Sequence, residues 1–442
     1  VKLMRGDPNT EIELTIARKG VNKPMVMKLT RAIIKVKSVK MKKLADGIGY
    51  IRISQFQERT GADLVANLNQ LAKDKSLKGL VLDLRNDPGG VLQSAVAVAG
   101  AFLPPNSEVV STKGRTPDSN YSYKVTPEDY FLSDQNPDIL QDLTPEAKSV
   151  PIVVLINSAT ASASEIVSGA LQDYHRATLM GNRSFGKGSV QTILPMRTGD
   201  KVVGIKLTTA RYYTPSGRCI QKKYELGKDS EYEQDIYQRF MHGEFDSADS
   251  IKLNNSEKYE TVMGRPVYGG GGIMPDIFIP RDTSGVTSYF SNVVNSGTLN
   301  LYALEYSDRN YDKLSSFKTY QDLYQYLQQQ PLLSDFTNYA ATKGIKKRPH
   351  LINISGKLIE KQLQAYIVRN FFDEAGFYPI FQNDDITLKR AIKVLNEGKS
   401  FPTPENKNNT SNGIAQSQTN ASRGYGLLKE IIHEDYIAGS LC

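Results

Sequence analysis

The chain has 442 residues, 39% of them hydrophobic and 23% charged, enough apolar content for a sizeable core and enough length for about two to four domains. Net formal charge is +8, concentrated in residues 18–43, but there Lys alternates with Ile, Val and Met at a period of two, as on the wet face of strands, so no nucleic-acid partner is expected. Cys219 and Cys442, with histidines only at 175, 242, 350 and 433, make no disulfide framework and no zinc spacing, which argues against metal catalysis, and no apolar run approaches the length that spans a bilayer.

Two alternating strands open the chain, at residues 11–18 and 23–32, with a turn at Lys19-Gly20. The run IGYIRISQF (48–56), the amphipathic stretch 60–76 and the apolar run LKGLVLDLR (77–85) then read as strand, helix and strand, the pattern of a right-handed crossover onto a parallel sheet. NDPGG (86–90) ends that strand and residues 91–103 read as a helix leaving it. A polar stretch, 105–148, is too long for a plain connection and is expected to be a surface excursion over the site. The theme resumes with a buried strand at PIVVLIN (151–157), a helix at 163–174 and a strand at 176–181. A hairpin follows, from VQTILPM to residues 201–215, turning at Thr198-Gly199-Asp200. A polar insertion covers about 222–258, and 264–280 is expected as one glycine-rich strand. Beyond 283 the chain turns to Tyr-, Leu- and Gln-rich helical segments such as 319–330 and 354–372, and 403–424 has the composition of a disordered segment.

The stretch GNRSFGKGS (181–189) almost fits a phosphate-binding loop, with Gly188 where the hydroxyl belongs. Such a loop needs a helix directly after its lysine to supply amides and dipole to the anion, yet the residues that follow contain Pro195 and Gly199 and alternate like strands. No nucleotide partner is therefore expected. The other reading makes Lys187 a base: an ordinary lysine near pKa 10.4 is protonated at neutral pH, and burial, with Phe185 as an apolar wall, favours the neutral amine. A hydroxyl for it to activate lies upstream in NSATASASEIVSGALQD (157–173), where a buried strand ends and a helix begins near Ala163. Ser162 occupies that junction, although Ser162-Ala-Ser-Glu165 is also a capping box, and Ser158, Ser164 and Ser168 remain alternatives by spacing alone. Gly89 and Gly90 leave amides open at a strand end, and Ala163 carries another beside the hydroxyl, as an oxyanion site requires; NDPGG read alone is equally a tight turn.

LVLDLRNDPGG, VLINSATASASEIVSGALQDYHRATLMGNRSFGKGSVQ and GGGGIMPDI together resemble the carboxy-terminal processing peptidases, over roughly residues 1–282. The resemblance implies a mixed β-α-β peptidase core of the ClpP/crotonase-like type at 36–282, with the insertions 105–148 and 222–258. It implies Ser162 as nucleophile, Lys187 as general base, Gln191 orienting the lysine, Gly89 or Gly90 with Ala163 as oxyanion hole, and Glu165 and Asp173 as supporting acids. It implies no cofactor and no metal, polypeptide substrates taken by a free C-terminus, and a periplasmic or envelope location. Residues 1–35 resemble the second half of a PDZ module, which binds peptide C-termini by strand addition. Residues 283–402 are expected to form a helical C-terminal domain of the kind that can assist assembly into a homo-oligomer, with 403–442 as a disordered tail. An inactive peptide-binding scaffold or chaperone of the same fold is the alternative, against which the intact Ser162, Lys187 and Gln191 set argues.

Overall fold

A computed structural model describes residues 3–17, 23–33, 37–73, 76–132, 138–199, 201–225 and 227–400. The Lys19-Gly20 turn, Asp200 of the later turn and the tail 403–442 lie outside the described residues.

β1 (Glu11–Ile16) and β2 (Met25–Thr30) form an antiparallel two-stranded sheet of their own, leaving Val26, Met27 and Leu29 exposed. The main sheet begins with β3 (Val39–Lys43), which pairs antiparallel with β4 (Ile48–Ile53). Helix α1 (Thr60–Ala72) crosses over to β5 (Gly79–Asp83), parallel to β4, as the strand-helix-strand pattern predicts. Helix α2 (Leu92–Gly100) leaves the NDPGG turn.

The excursion 105–148 is more than a surface feature. It holds β6 (Glu108–Gly114), β7 (Tyr121–Lys124) and two short helices, α3 (Pro127–Tyr130) and α4 (Pro145–Ser149), and it buries Val109, Val110, Tyr130, Ile139 and Ala147 in the core. Its apolar residues are thinly spread among polar ones, so composition conceals them.

β8 (Ile152–Ile156), α5 (Ala163–Asp173) and β9 (Thr178–Gly181) complete the parallel part of the sheet. β10 (Ser189–Thr198) and β11 (Lys201–Tyr213) form the expected hairpin, and β11 joins β6, giving a second sheet in the order β10-β11-β6-β7. Within 222–258 lies helix α6 (Asp229–Met241). β12 (Lys258–Glu260) pairs with β13 (Pro266–Tyr268), and β14 (Ile277–Phe278) closes the main sheet in the order β14-β9-β8-β5-β4-β3. The single strand expected at 264–280 is thus two, divided by a glycine turn in which Gly270 and Gly272 hold φ of 75° and 85°. A strand cannot run through that conformation.

β5 and β8 are buried along their whole length, as apolar strands covered on both faces should be. Leu80, Leu82, Ile152 and Val154 join the core shared with α1, α2 and α5. The alternate residues Val81, Val153 and Leu155 meet Leu388, Ala391, Val394 and Leu395 of a helix far downstream, α13 (Ile386–Asn396). The region after 283 is therefore not one unit. Helices α7 (Ser288–Asn295), α8 (Thr298–Arg309), α9 (Tyr311–Leu314), α10 (Tyr320–Leu327), α11 (Leu332–Thr342) and α12 (Pro349–Gln382) enclose a core of their own around Tyr302, Phe336 and Leu363, whereas α13 covers the main sheet. Arg85, at the end of β5, pairs with Asp385 at 2.6 Å, and Asp385 caps α13 by accepting the Leu388 amide.

Candidate active site

The site is built where β5, β8 and β9 end. After β8 the chain turns on Asn157 and Thr160, whose hydroxyl donates to the Leu84 carbonyl at 2.8 Å and accepts the Asn157 amide at 3.0 Å. Ser162 then takes φ 59° and ψ −116°, a conformation that a side chain makes costly, by about 1–3 kcal/mol, and that persists only where surroundings enforce it. It stands at the head of α5, as in the strained strand-to-helix turns that present a nucleophilic hydroxyl. The other serines are less suited: Ser164 and Ser168 are fully buried and donate to the carbonyls of Asp87 and Ser164, and Ser158 lies back in the turn.

Glu165 is what enforces the turn. Its Oε2 accepts the amides of Ser162 and Lys187, both at 2.9 Å, and its Oε1 accepts the Gly186 amide at 2.7 Å and the Ser184 hydroxyl at 2.5 Å. One fully buried carboxyl group thus ties the head of α5 to the lysine loop. The capping-box reading is correct in part, since the carboxylate does satisfy the Ser162 amide, but the same group also holds three donors from a segment about twenty residues on. Burial raises its pKa above the ordinary carboxylate value, against the pull of those hydrogen bonds.

Lys187 is half-buried and runs directly into β10, so no helix follows it and the phosphate-loop reading has no structural basis. Burial lowers its pKa, the Lys206 ammonium on β11 lowers it further, and Glu165 opposes both. Among the described residues its Nζ has no hydrogen bond or ion pair. Phe185 is buried, but its ring meets a different ammonium, that of Lys222, 4.1 Å from the centroid. Gln191 is exposed on β10, opposite Thr208 and just past a bulge, with no side-chain hydrogen bond among the described residues.

The NDPGG turn packs against the same junction. Gly89 has φ +94°, and a Cβ there would stand 2.6 Å from the Ala161 carbonyl oxygen and 2.7 Å from both the Ala163 nitrogen and Ser162 Cβ, so only glycine permits the approach. Of the three expected oxyanion donors, the Gly89 amide is taken by Asp87 Oδ1 at 2.8 Å. The Gly90 and Ala163 amides have no acceptor among the described residues. Phe56 bonds the Gly89 carbonyl and the Val91 amide, which turns the Gly90 peptide groups to the other side.

Asp173 is not part of this cluster. It closes the far end of α5, about 15 Å along the axis from Ala163, where it pairs with the fully buried Arg218 at 3.0 Å and accepts the Ser216 amide at 3.0 Å. It serves as an anchor for the 214–218 turn. Asp173→Asn is expected to lower stability by about 1–3 kcal/mol, seen as a fall in Tm, while kcat per folded molecule is kept; a loss of kcat without a loss of Tm would return Asp173 to the site.

Sequence reasoning missed the buttress beneath the lysine loop. Arg239 on α6 donates to the carbonyls of Arg183 and Ser184 at 2.8 and 2.9 Å, and Glu244 receives both Arg239 and Arg183. No spacing rule links these residues. Arg239 and Glu244 are buried charges inside a segment that reads as a polar insertion.

Residues 47–233 match the model of Peptidase family S41, and the chain is 43% identical over 286 residues to a carboxy-terminal-processing protease of Bartonella bacilliformis. Over residues 47–233 the chain carries the sequence pattern of Peptidase family S41, and it is similar to carboxy-terminal-processing proteases. The Bartonella match covers 64% of this chain and 59% of that relative. A second relative, the carboxyl-terminal-processing protease of Synechocystis sp., is 37% identical over 223 residues, covering 50% of this chain and 47% of its own. The chain therefore spans between about half and three fifths of these two relatives. Among solved structures, a photosystem II D1 C-terminal processing protease is similar at 28% identity and a TM-score of 0.33, covering 49% of this chain and 54% of that one. Residues 289–373, within the helical region, match a family of unknown function.

Proposed function

We propose that this chain is a serine endopeptidase that cuts polypeptides near their C-termini through an acyl-enzyme. The observation that carries the reading is the single buried carboxylate that fixes Ser162, in its strained conformation, to the backbone of Lys187. Neutral Lys187 takes the proton of the Ser162 hydroxyl as Oγ attacks the substrate carbonyl. The oxyanion is held by the amides of Gly90 and Ala163, and Lys187 returns the proton to the leaving amine. Water then repeats the sequence on the ester. Gln191, exposed at the start of β10, orients the lysine once substrate covers it. Residues 1–35 act as part of a PDZ module, a reading supported by a two-stranded hairpin that would be marginal alone. The protein works in the periplasm or on the envelope, and its helical region supports self-association.

Incubating the protein with an unfolded polypeptide bearing either a free or an amidated C-terminus tests this. Wild type is expected to yield fragments, faster from the free terminus, and Ser162→Ala none. Equal cleavage by both proteins removes Ser162 from the mechanism; binding without cleavage by wild type supports the inactive scaffold instead.

A further inference from the structure

Asp87 stands in the NDPGG turn, fully buried. Its Oδ1 accepts the Gly89 amide at 2.8 Å, and its carbonyl accepts the Ala161 amide at 2.9 Å and the Ser164 hydroxyl at 3.1 Å, so one residue stitches this turn to the segment on both sides of Ser162. Its Oδ2 is buried with no hydrogen-bond partner among the described residues. Such an atom costs stability, and an apolar residue would avoid the cost. What the carboxyl group supplies is a fixed acceptor beside two glycines at φ +94° and +149°, the backbone positions with the most freedom to lose.

We propose that Asp87 is the positioning residue of the oxyanion turn: its carboxyl group holds the Gly89 amide and so leaves the amides of Gly90 and Ala163 to receive the oxygen of the tetrahedral intermediate. The inference rests on the peptidase reading. Without that hold the Pro88-Gly89 peptide turns, and among the described residues the bond from the Phe56 amide to the Gly89 carbonyl alone fixes the next peptide, which carries the Gly90 donor, so a donor that must be in place before the reaction loses part of its orientation.

The ionisation of Asp87 adds a second consequence. Burial pushes its pKa up to about 7, while the Gly89 amide and the Ser164 hydroxyl pull it down; of the charged groups acting on it, Arg52 on β4 lowers it and Asp83 on β5 raises it. Both protonation states keep an oxygen that accepts the Gly89 amide. The ionised state, dominant above that pH, puts a negative charge next to the place where the oxyanion forms and opposes it.

Measurement of kcat and KM on a fluorogenic peptide for wild type, Asp87→Ala, Asp87→Asn and Ser162→Ala tests the proposal. Asp87→Ala is expected to lower kcat by about 10- to 100-fold with KM nearly unchanged. Asp87→Asn keeps the acceptor and cannot ionise, so its kcat stays near that of wild type at about pH 6, and the ratio of its kcat to that of wild type rises towards about pH 8. Wild-type kcat in folded Asp87→Ala, or an Asp87→Asn variant as impaired as Asp87→Ala with a flat ratio, overturns the inference while an inactive Ser162→Ala leaves the peptidase reading standing. A Ser162→Ala variant as active as wild type overturns that reading itself.

Discussion

Lys187→Ala is expected to lower kcat by about 10⁴-fold, the scale on which removal of a triad or dyad member removes proton transfer and leaves only binding and oxyanion stabilisation. The wild-type profile follows from the environment of the amine. Burial and the Lys206 charge depress the Lys187 pKa, so the neutral, competent fraction grows as pH rises and kcat/KM climbs along a limb centred below the ordinary lysine value of about 10.4. The sign for stability is the reverse of the usual lysine case, in which a partner raises the folded pKa. The folded state holds the lysine proton less tightly than the unfolded chain does, so at neutral pH the charged amine costs stability, and the cost is relieved as pH rises through the folded pKa. Lys187→Met, an unbranched apolar replacement, should therefore abolish cleavage and raise Tm at neutral pH. A Met variant that is inactive but less stable than wild type would show that the lysine is a structural ion rather than a desolvated base.

Glu165→Ala carries the second large effect. It strands the amides of Ser162, Gly186 and Lys187 in a dry interior, at a cost of about 3–5 kcal/mol, and frees the Ser162 and Lys187 segments from each other, with an expected fall in kcat of about 10²-fold or more. Glutamine is not a rescue. Four donors converge on the two carboxylate oxygens, and an amide nitrogen in place of either oxygen turns a donor towards donors. Thermal melts and kcat measured together decide the matter: a Glu165→Gln protein with wild-type Tm and kcat would mean that the clamp adds nothing to a geometry already set by the backbone.

Much of the site is legible residue by residue. The run PIVVLIN followed by small residues and S-x-x-E marks a buried strand, a turn and a helix start, and Ser162 stands there with the predicted neighbours. The absence of helical periodicity after Lys187 is equally plain, and β10 follows it. Glu165 is recognisable as a cap because capping is local; its hold on Ser184, Gly186 and Lys187 is not, because those donors arrive from another strand end. The resemblance implies Asp173 as a supporting acid, but it lies at the far end of the helix that follows Ser162, and its pairing with Arg218 belongs to that end.

Local chemistry in the sequence determined the apolar strands, the glycines of NDPGG and the hydroxyl at the head of α5, since hydrophobic alternation, positive φ and capping each act within a few residues. Tertiary structure alone decided that α13 covers the second face of the sheet, that 105–148 contributes strands to the second sheet, and that Asp87 takes the Gly89 amide while those of Gly90 and Ala163 stay open. Each of those outcomes depends on which groups meet across a folded interior, as Arg85 meets Asp385, and a buried hydrogen bond or ion pair is set by position in space rather than by separation along the chain.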